Sequence, residues 1–183
     1  SYENALKIDS NYIDALCNLG IVLGLVEKLS DAEEKYKKAL ALDPLSYKIN
    51  YYLADNQYNQ GFYDKAEEIA YKILEKDKLD PELNNLIGSI LQKKGKIKSI
   101  QFFREALKNT KRKDVPLNNI GTLLYEKRKI NSAIRFFCKA VADNYYNNEA
   151  QINFAYSLLL KKCFPLGWEK HEYRWSVDPL KKI

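Results

Sequence analysis

Residues 19–44 read LGIVLGLVEKLSDAEEKYKKALALDP, and this stretch decides the fold. Leu19-Gly20 opens it, Ala32 lies in its middle, Ala39-Leu40 comes near its end, and Asp43-Pro44 closes it. Each of these marks recurs along the chain. The pair at Ala39-Leu40 has counterparts at Ala5-Leu6, Ile73-Leu74, Ala106-Leu107 and Ala140-Val141, with steps of 34, 34, 33 and 34 residues. The Leu19-Gly20 pair returns as Leu53-Ala54, Ile87-Gly88, Ile120-Gly121 and Phe154-Ala155, and Ala32 as Ala66, Ser99, Ala133 and Gly167. A fixed period of this length is the mark of a repeat architecture.

Within one period the apolar residues fall at helical spacing. Leu16, Leu19 and Leu23 share one helix face, and Ala32, Tyr36, Ala39 and Leu40 share another. Gly61 and Gly95 stand between paired helices, where a left-handed residue ends the first one. Asp31 and Asp64 then cap or lead the second. One helix pair cannot bury its apolar face alone, and stacked pairs build a continuous core. Tyr36, Phe102, Phe103, Phe136 and Phe137 are read as that core.

The pattern resembles a tetratricopeptide repeat (TPR) array. That resemblance implies an all-α, right-handed superhelical solenoid of helix hairpins covering residues 1–183 as one array. Residues 1–12 are the tail of a preceding repeat. Full repeats run over 13–46, 47–80, 81–113, 114–147 and 148–180, the last atypical and capping.

Composition narrows the functional classes. The 183 residues carry a net charge of +6, unevenly placed. Residues 1–92 hold 10 basic and 16 acidic side chains, and residues 93–183 hold 20 and 8. Such asymmetry points to an anionic partner, an acidic peptide first, near the second half. Lys-rich loops without ordered aromatics are a poor nucleic-acid signature. No run reaches the length of a membrane span. Cys17, Cys138 and Cys163 lack any CxxC spacing, so reduced and mostly buried thiols in the cytoplasm are expected. The chain opens without Met and midway through a helix, as a piece of a longer bacterial protein would.

No catalytic or cofactor pattern emerges. The single histidine, His171, has no identifiable partner nucleophile, and glycine-rich phosphate loops and metal-ligand spacings are missing. The expectation is a non-enzymatic scaffold without metal or cofactor. In the TPR family the first helix of each repeat lines a concave groove. Carried over position by position, the partner-binding residues are Asn18, Tyr51, Tyr52, Asp55, Tyr58, Asn85, Asn118, Asn119, Thr122, Tyr125, Asn153 and Tyr156.

Asn18, Asn119 and Asn153 share one repeat position, which resembles the asparagine ladder of O-linked N-acetylglucosamine transferase repeats. An amide both donates and accepts, so it can pair with a peptide backbone of any sequence. The abundance of Asn in this chain accounts equally for the recurrence. Groove tyrosines would add stiff contact area with a polar tip.

Residues 164–175, FPLGWEKHEYRW, depart from the repeat and hold both tryptophans, Trp168 and Trp175. They resemble the segment ending bacterial TPR arrays ahead of a glycosyltransferase-like domain. Two readings follow: a scaffold that binds an extended peptide or partner protein, or the substrate-recognition region of a larger glycosyltransferase. The two tryptophans lie seven residues apart and are read as a cap over the last core. Self-association through the terminal helices is a further option.

Overall fold

The computed structural model describes residues 12–172. Ala5-Leu6, the preceding-repeat tail before Tyr12 and the second expected capping tryptophan, Trp175, lie outside the described residues. Those described are all-α, with ten helices and no strand. The chain divides into two compact units, Ser1–Lys96 and Ile97–Ile183.

The first unit contains α1 (Ile13–Leu25), α2 (Leu29–Leu42), α3 (Tyr47–Asn59), α4 (Tyr63–Leu74) and α5 (Pro81–Lys93). Consecutive helices pack as antiparallel neighbours, and α1, α3 and α5 also touch one after another. Their core joins Leu16, Cys17, Ala32, Tyr36, Ala39, Ile49 and Leu53. The second unit contains α6 (Ser99–Asn109), α7 (Asp114–Glu126), α8 (Ile130–Asp143), α9 (Asn148–Leu160) and α10 (Phe164–His171). Here α7 and α9 lie side by side, with α8 and α10 packed behind them. Phe137, Phe154, Leu158 and Ala133 make one core cluster, and Leu117, Ala140 and Ala150 another. Of the aromatics expected inside, Tyr36, Phe103 and Phe137 are buried, whereas Phe102 and Phe136 are half-buried.

The turns explain why the period is so regular. Gly61 and Gly95 adopt φ of 83° and 68°. In the same repeat position Glu27, Arg128 and Lys162 adopt φ of 60°, 58° and 61°, although none is glycine. Every one of these turns closes with the same two backbone bonds. At the first, Glu27 N donates to Gly24 O (3.1 Å) and Lys28 N to Leu23 O (2.9 Å); at the fourth, Arg128 N donates to Tyr125 O and Lys129 N to Leu124 O, both 2.9 Å. This pair of bonds satisfies the last carbonyls of the first helix and fixes the angle at which the second leaves.

Asp31 and Asp64 stand in the first turns of α2 and α4 without capping them. Side-chain caps occur instead on α5 and α9, where Asp80 accepts from Leu83 N and Asn147 from Ala150 N, each at 2.9 Å. The start of α7 is held by the end of α8: Asp143 Oδ2 accepts from the backbone N–H groups of Lys113 and Asp114, both at 2.9 Å.

A second recurring device escaped the sequence reading. The fourth residue of a first helix is repeatedly an amide that pins the loop before it. Asn50 Nδ2 donates to Ser46 O (2.7 Å), Asn84 Nδ2 to Asp80 O (2.7 Å) and Lys78 O (2.9 Å), and Gln151 Nε2 to Tyr145 O (3.0 Å). Where Leu117 replaces the amide, the buried carboxylate of Asp114 gathers the loop instead. Its Oδ2 accepts from Asn144 and Asn147, both at 2.9 Å.

Candidate functional site

The first helices carry every side chain expected to meet a partner, and the structure sorts them into three groups. Some go to packing. Asn118 is buried and faces the neighbouring helix: Asn153 Nδ2 donates to its Oδ1 at 3.0 Å. Its assignment to a partner-binding surface is therefore corrected to a structural bond between α7 and α9. Tyr52 stacks on buried Tyr36, with ring centres 6.0 Å apart and planes 16° off parallel. It completes the first core more than it offers a surface.

A second group forms a half-buried layer along unit 1. Tyr51 meets Tyr52 edge-on at 5.7 Å, and Tyr58 tilts against Tyr63 at 5.8 Å. Asp55 accepts from Asn59 at 3.2 Å; burial pushes its carboxyl above the usual range, and that bond only partly opposes the shift. Burial beside Asp55 likewise raises the Tyr51 phenol, keeping it neutral. Asn18 and Asn85 are half-buried on α1 and α5, and in unit 2 Asn119 is half-buried on α7. Cys17, one position from Asn18, is buried and its thiol is raised by desolvation. Cys138 and Cys163 are exposed, against the expectation of mostly buried thiols.

The third group converges. Thr122, Tyr125, Asn153 and Tyr156 line one cleft of about 60 Å³ between α7 and α9, with Phe137 at its base. Asn153 Nδ2 is occupied by Asn118 Oδ1 and lies 3.5 Å from Thr122 Oγ1. Thr122 Oγ1 in turn donates to Asn118 O at 3.1 Å. The amide nitrogen of Asn153 thus belongs to the protein, and its oxygen is left as an acceptor on the cleft. Tyr156 continues into an aromatic run, with His171 at 5.4 Å and Trp168 a further 5.5 Å on. Trp168 is 55% exposed. The cleft combines an apolar base, two tyrosines and fixed amide chemistry. Among the described residues no group of three or more His, Cys, Asp or Glu could hold a metal ion, and no helix is long and apolar enough to cross a membrane.

Helix hairpins at a 34-residue period, closed by identical turns and stacked first helix on first helix, define the TPR fold. Residues 26–90 match the family model described as tetratricopeptide repeat. The chain is similar to the type IV pilus assembly protein PilF of Pseudomonas aeruginosa, 25% identical over 94% of this chain and 75% of that protein. Among solved structures it resembles TTC0263, a thermophilic TPR protein of Thermus thermophilus (TM-score 0.78, 15% identity, 86% of this chain and 87% of that one). It also resembles YrrB, a TPR protein with an unusual peptide-binding site (TM-score 0.61, 18% identity, 98% and 93% coverage). These likenesses show the fold of a TPR solenoid. They bring no support to the glycosyltransferase-linked reading of the C-terminal segment.

Proposed function

We propose that this chain is a non-catalytic scaffold that binds an extended segment of a partner protein along its first helices. The cleft between α7 and α9 carries this reading, because four of the residues expected at a groove meet there. Asn153 Oδ1 accepts a backbone N–H of the ligand, and Tyr125 and Tyr156 flank the chain on either side. The cleft of about 60 Å³ beside Phe137 suits a small apolar side chain. Likeness to a TPR protein with a peptide-binding site agrees with this assignment. The positive balance of residues 93–183 favours peptides with acidic flanks.

Selection of a displayed peptide library on the purified chain, followed by fluorescence anisotropy, tests the reading. Selected peptides should share one small apolar residue beside acidic ones, and Tyr125→Ala should weaken binding at least about tenfold, as loss of a buried aromatic anchor does. Binders indifferent to both Tyr125→Ala and Asn153→Ala would reject this cleft as the site.

A further inference from the structure

In unit 1 the cations beside a hairpin turn belong to the fold. Lys94 and Lys96 flank Gly95 and reach back to the previous hairpin: Lys94 to the carboxylates of Asp64 and Glu67, and Lys96 to Glu67 Oε1 at 2.7 Å. In unit 2 the cations return and the carboxylates do not. Lys127 and Lys129 flank Arg128 as Lys94 and Lys96 flank Gly95, and Lys161 precedes Lys162 in the same way. Counted from Ala66, Ser99 and Ala133, the places of Asp64 and Glu67 go to Ile97 and Ile100, then to Asn131 and Ile134.

Lys127, Arg128, Lys129, Lys161 and Lys162 are all exposed, and none of them forms an ion pair among the described residues. Arg128 and Lys162 adopt φ of 58° and 61°, the conformation that Gly61 and Gly95 take in unit 1 without a Cβ. A charged side chain is thus held on each turn against the backbone preference. The fold gathers these cations on one edge. Asn153 on α9 bonds Asn118 on α7, and further along Tyr125 and Tyr156 share the cleft, so the two helices run the same way. Their C-terminal turns emerge together. Glu126 is the one carboxylate in the turn segments 126–129 and 160–164, which leaves five basic side chains against one acidic, a balance of +4.

Apolar side chains stand among these charges. Leu160 and Phe164 bracket the second turn, 49% and 50% exposed. The place of Leu160 is exposed in every repeat, at Leu25, Asn59, Lys93 and Glu126, so the leucine faces outward by register. Mobile ammonium groups on turns read charge and not shape, and apolar residues between them suit a boundary where an anionic layer overlies hydrocarbon. An acidic peptide or a nucleic acid would satisfy the cations and leave Leu160 and Phe164 in water.

We propose that this edge of unit 2 docks the chain on an anionic lipid surface. The five cations meet headgroup phosphates, and Leu160 and Phe164 enter the layer beneath. The contact lies on the membrane and does not span it. None of these residues lines the cleft between α7 and α9, so the contact stands apart from the peptide site.

Cosedimentation of the 183-residue chain with vesicles of phosphatidylcholine, with and without phosphatidylglycerol, tests this. The chain should bind the anionic vesicles, leave the neutral ones, and lose most of its binding in high salt. Arg128→Gly with Lys162→Gly removes two charges and relieves both turns. Each cation near an anionic surface is worth about fivefold, so this pair should weaken binding about 25-fold. Its melting temperature should rise, which separates lost binding from lost folding. Lys48→Gln with Lys78→Gln removes the same charge from exposed sites in unit 1 and should change binding little. Leu160→Ser with Phe164→Ser should weaken binding at unchanged charge, and Tyr125→Ala should leave it intact. A chain that ignores anionic vesicles overturns the proposal, and so does one that binds polyglutamate or single-stranded RNA in their place. Equal losses from the two charge pairs overturn the edge, and an apolar pair without effect overturns insertion.

Discussion

A Cβ atom built on Gly20 would lie 2.6 Å from Cε1 of Tyr36. Tyr36 is buried and stacked on Tyr52, so its ring has nowhere to retreat. The same relationship recurs three repeats later, where a Cβ on Gly121 would stand 2.5 Å from Cε1 of Phe137. Where the partner position is the small Ala70, the first helix carries Ala54 instead of glycine. Ring and missing methyl group are matched.

Gly20→Ala should therefore cost about 1–3 kcal/mol, the usual penalty of overpacking a filled core. Thermal or urea unfolding measures it. Gly121→Ala should do the same and displace Phe137 from the base of the cleft. It should weaken peptide binding, whereas Gly20→Ala, in the other unit, should leave binding unchanged.

At the hairpin turns, Arg128→Gly should stabilise the chain by about 0.5–1 kcal/mol, because a left-handed residue with a Cβ is strained where glycine is not. Gly61→Ala at the same repeat position should destabilise it by a similar amount. Melting temperatures that move the other way would show that the turn is not held in this conformation.

Much of the fold was legible, because its determinants are local and recur. Small residues at the helix seams, glycines at two of the five turns and apolar spacing return in repeat after repeat, and repetition turns weak signals into a strong one. The remaining turns were hidden, because Glu27, Arg128 and Lys162 take the glycine conformation without being glycine. Site residues were only partly legible for a geometrical reason. Asn118 and Asn119 are adjacent, so their side chains leave α7 about 100° apart, and only the position of α9 decides that the first goes into the seam. The same holds for Tyr52, which the ring of Tyr36 draws inward.

Tyr47 Oη donates to Asp80 Oδ2 at 2.6 Å, across 33 residues of sequence. Asp80 also caps α5 through Leu83 N. Tyr47→Phe should cost about 1 kcal/mol, the net worth of one part-buried hydrogen bond. Asp80→Ala should cost more, about 2 kcal/mol, because the cap goes with it. In a double-mutant cycle the two effects should be less than additive.

Glu33 and Glu67 should make unit 1 less stable in acid. Burial acts to raise both carboxyls, but hydrogen bonds outweigh it, from Lys37, Gln60 and Gln57 to Glu33 and from Lys94 and Lys96 to Glu67. Each is held below its ordinary value. A lowered folded-state pKa gives stability that is present above the unfolded value and lost as pH falls through the folded one. Asp55, raised by burial, has the opposite sign: it favours folding in acid and loses that contribution as pH rises through its elevated value. Urea midpoints should fall between neutral and acidic pH, with each glutamate worth at most about 1 kcal/mol after solvent screening. Glu67→Gln should flatten the profile, and Asp55→Asn should steepen the acid loss.

Two compact units with separate core clusters also bear on how the chain comes apart. Helices here touch mainly their immediate predecessors and successors, so little of the native wiring is long-range. Such a molecule can nucleate in either unit and need not melt in a single concerted step. Amide exchange should separate α1–α5 from α7–α10 into two protection levels, each a foldon with its own opening free energy.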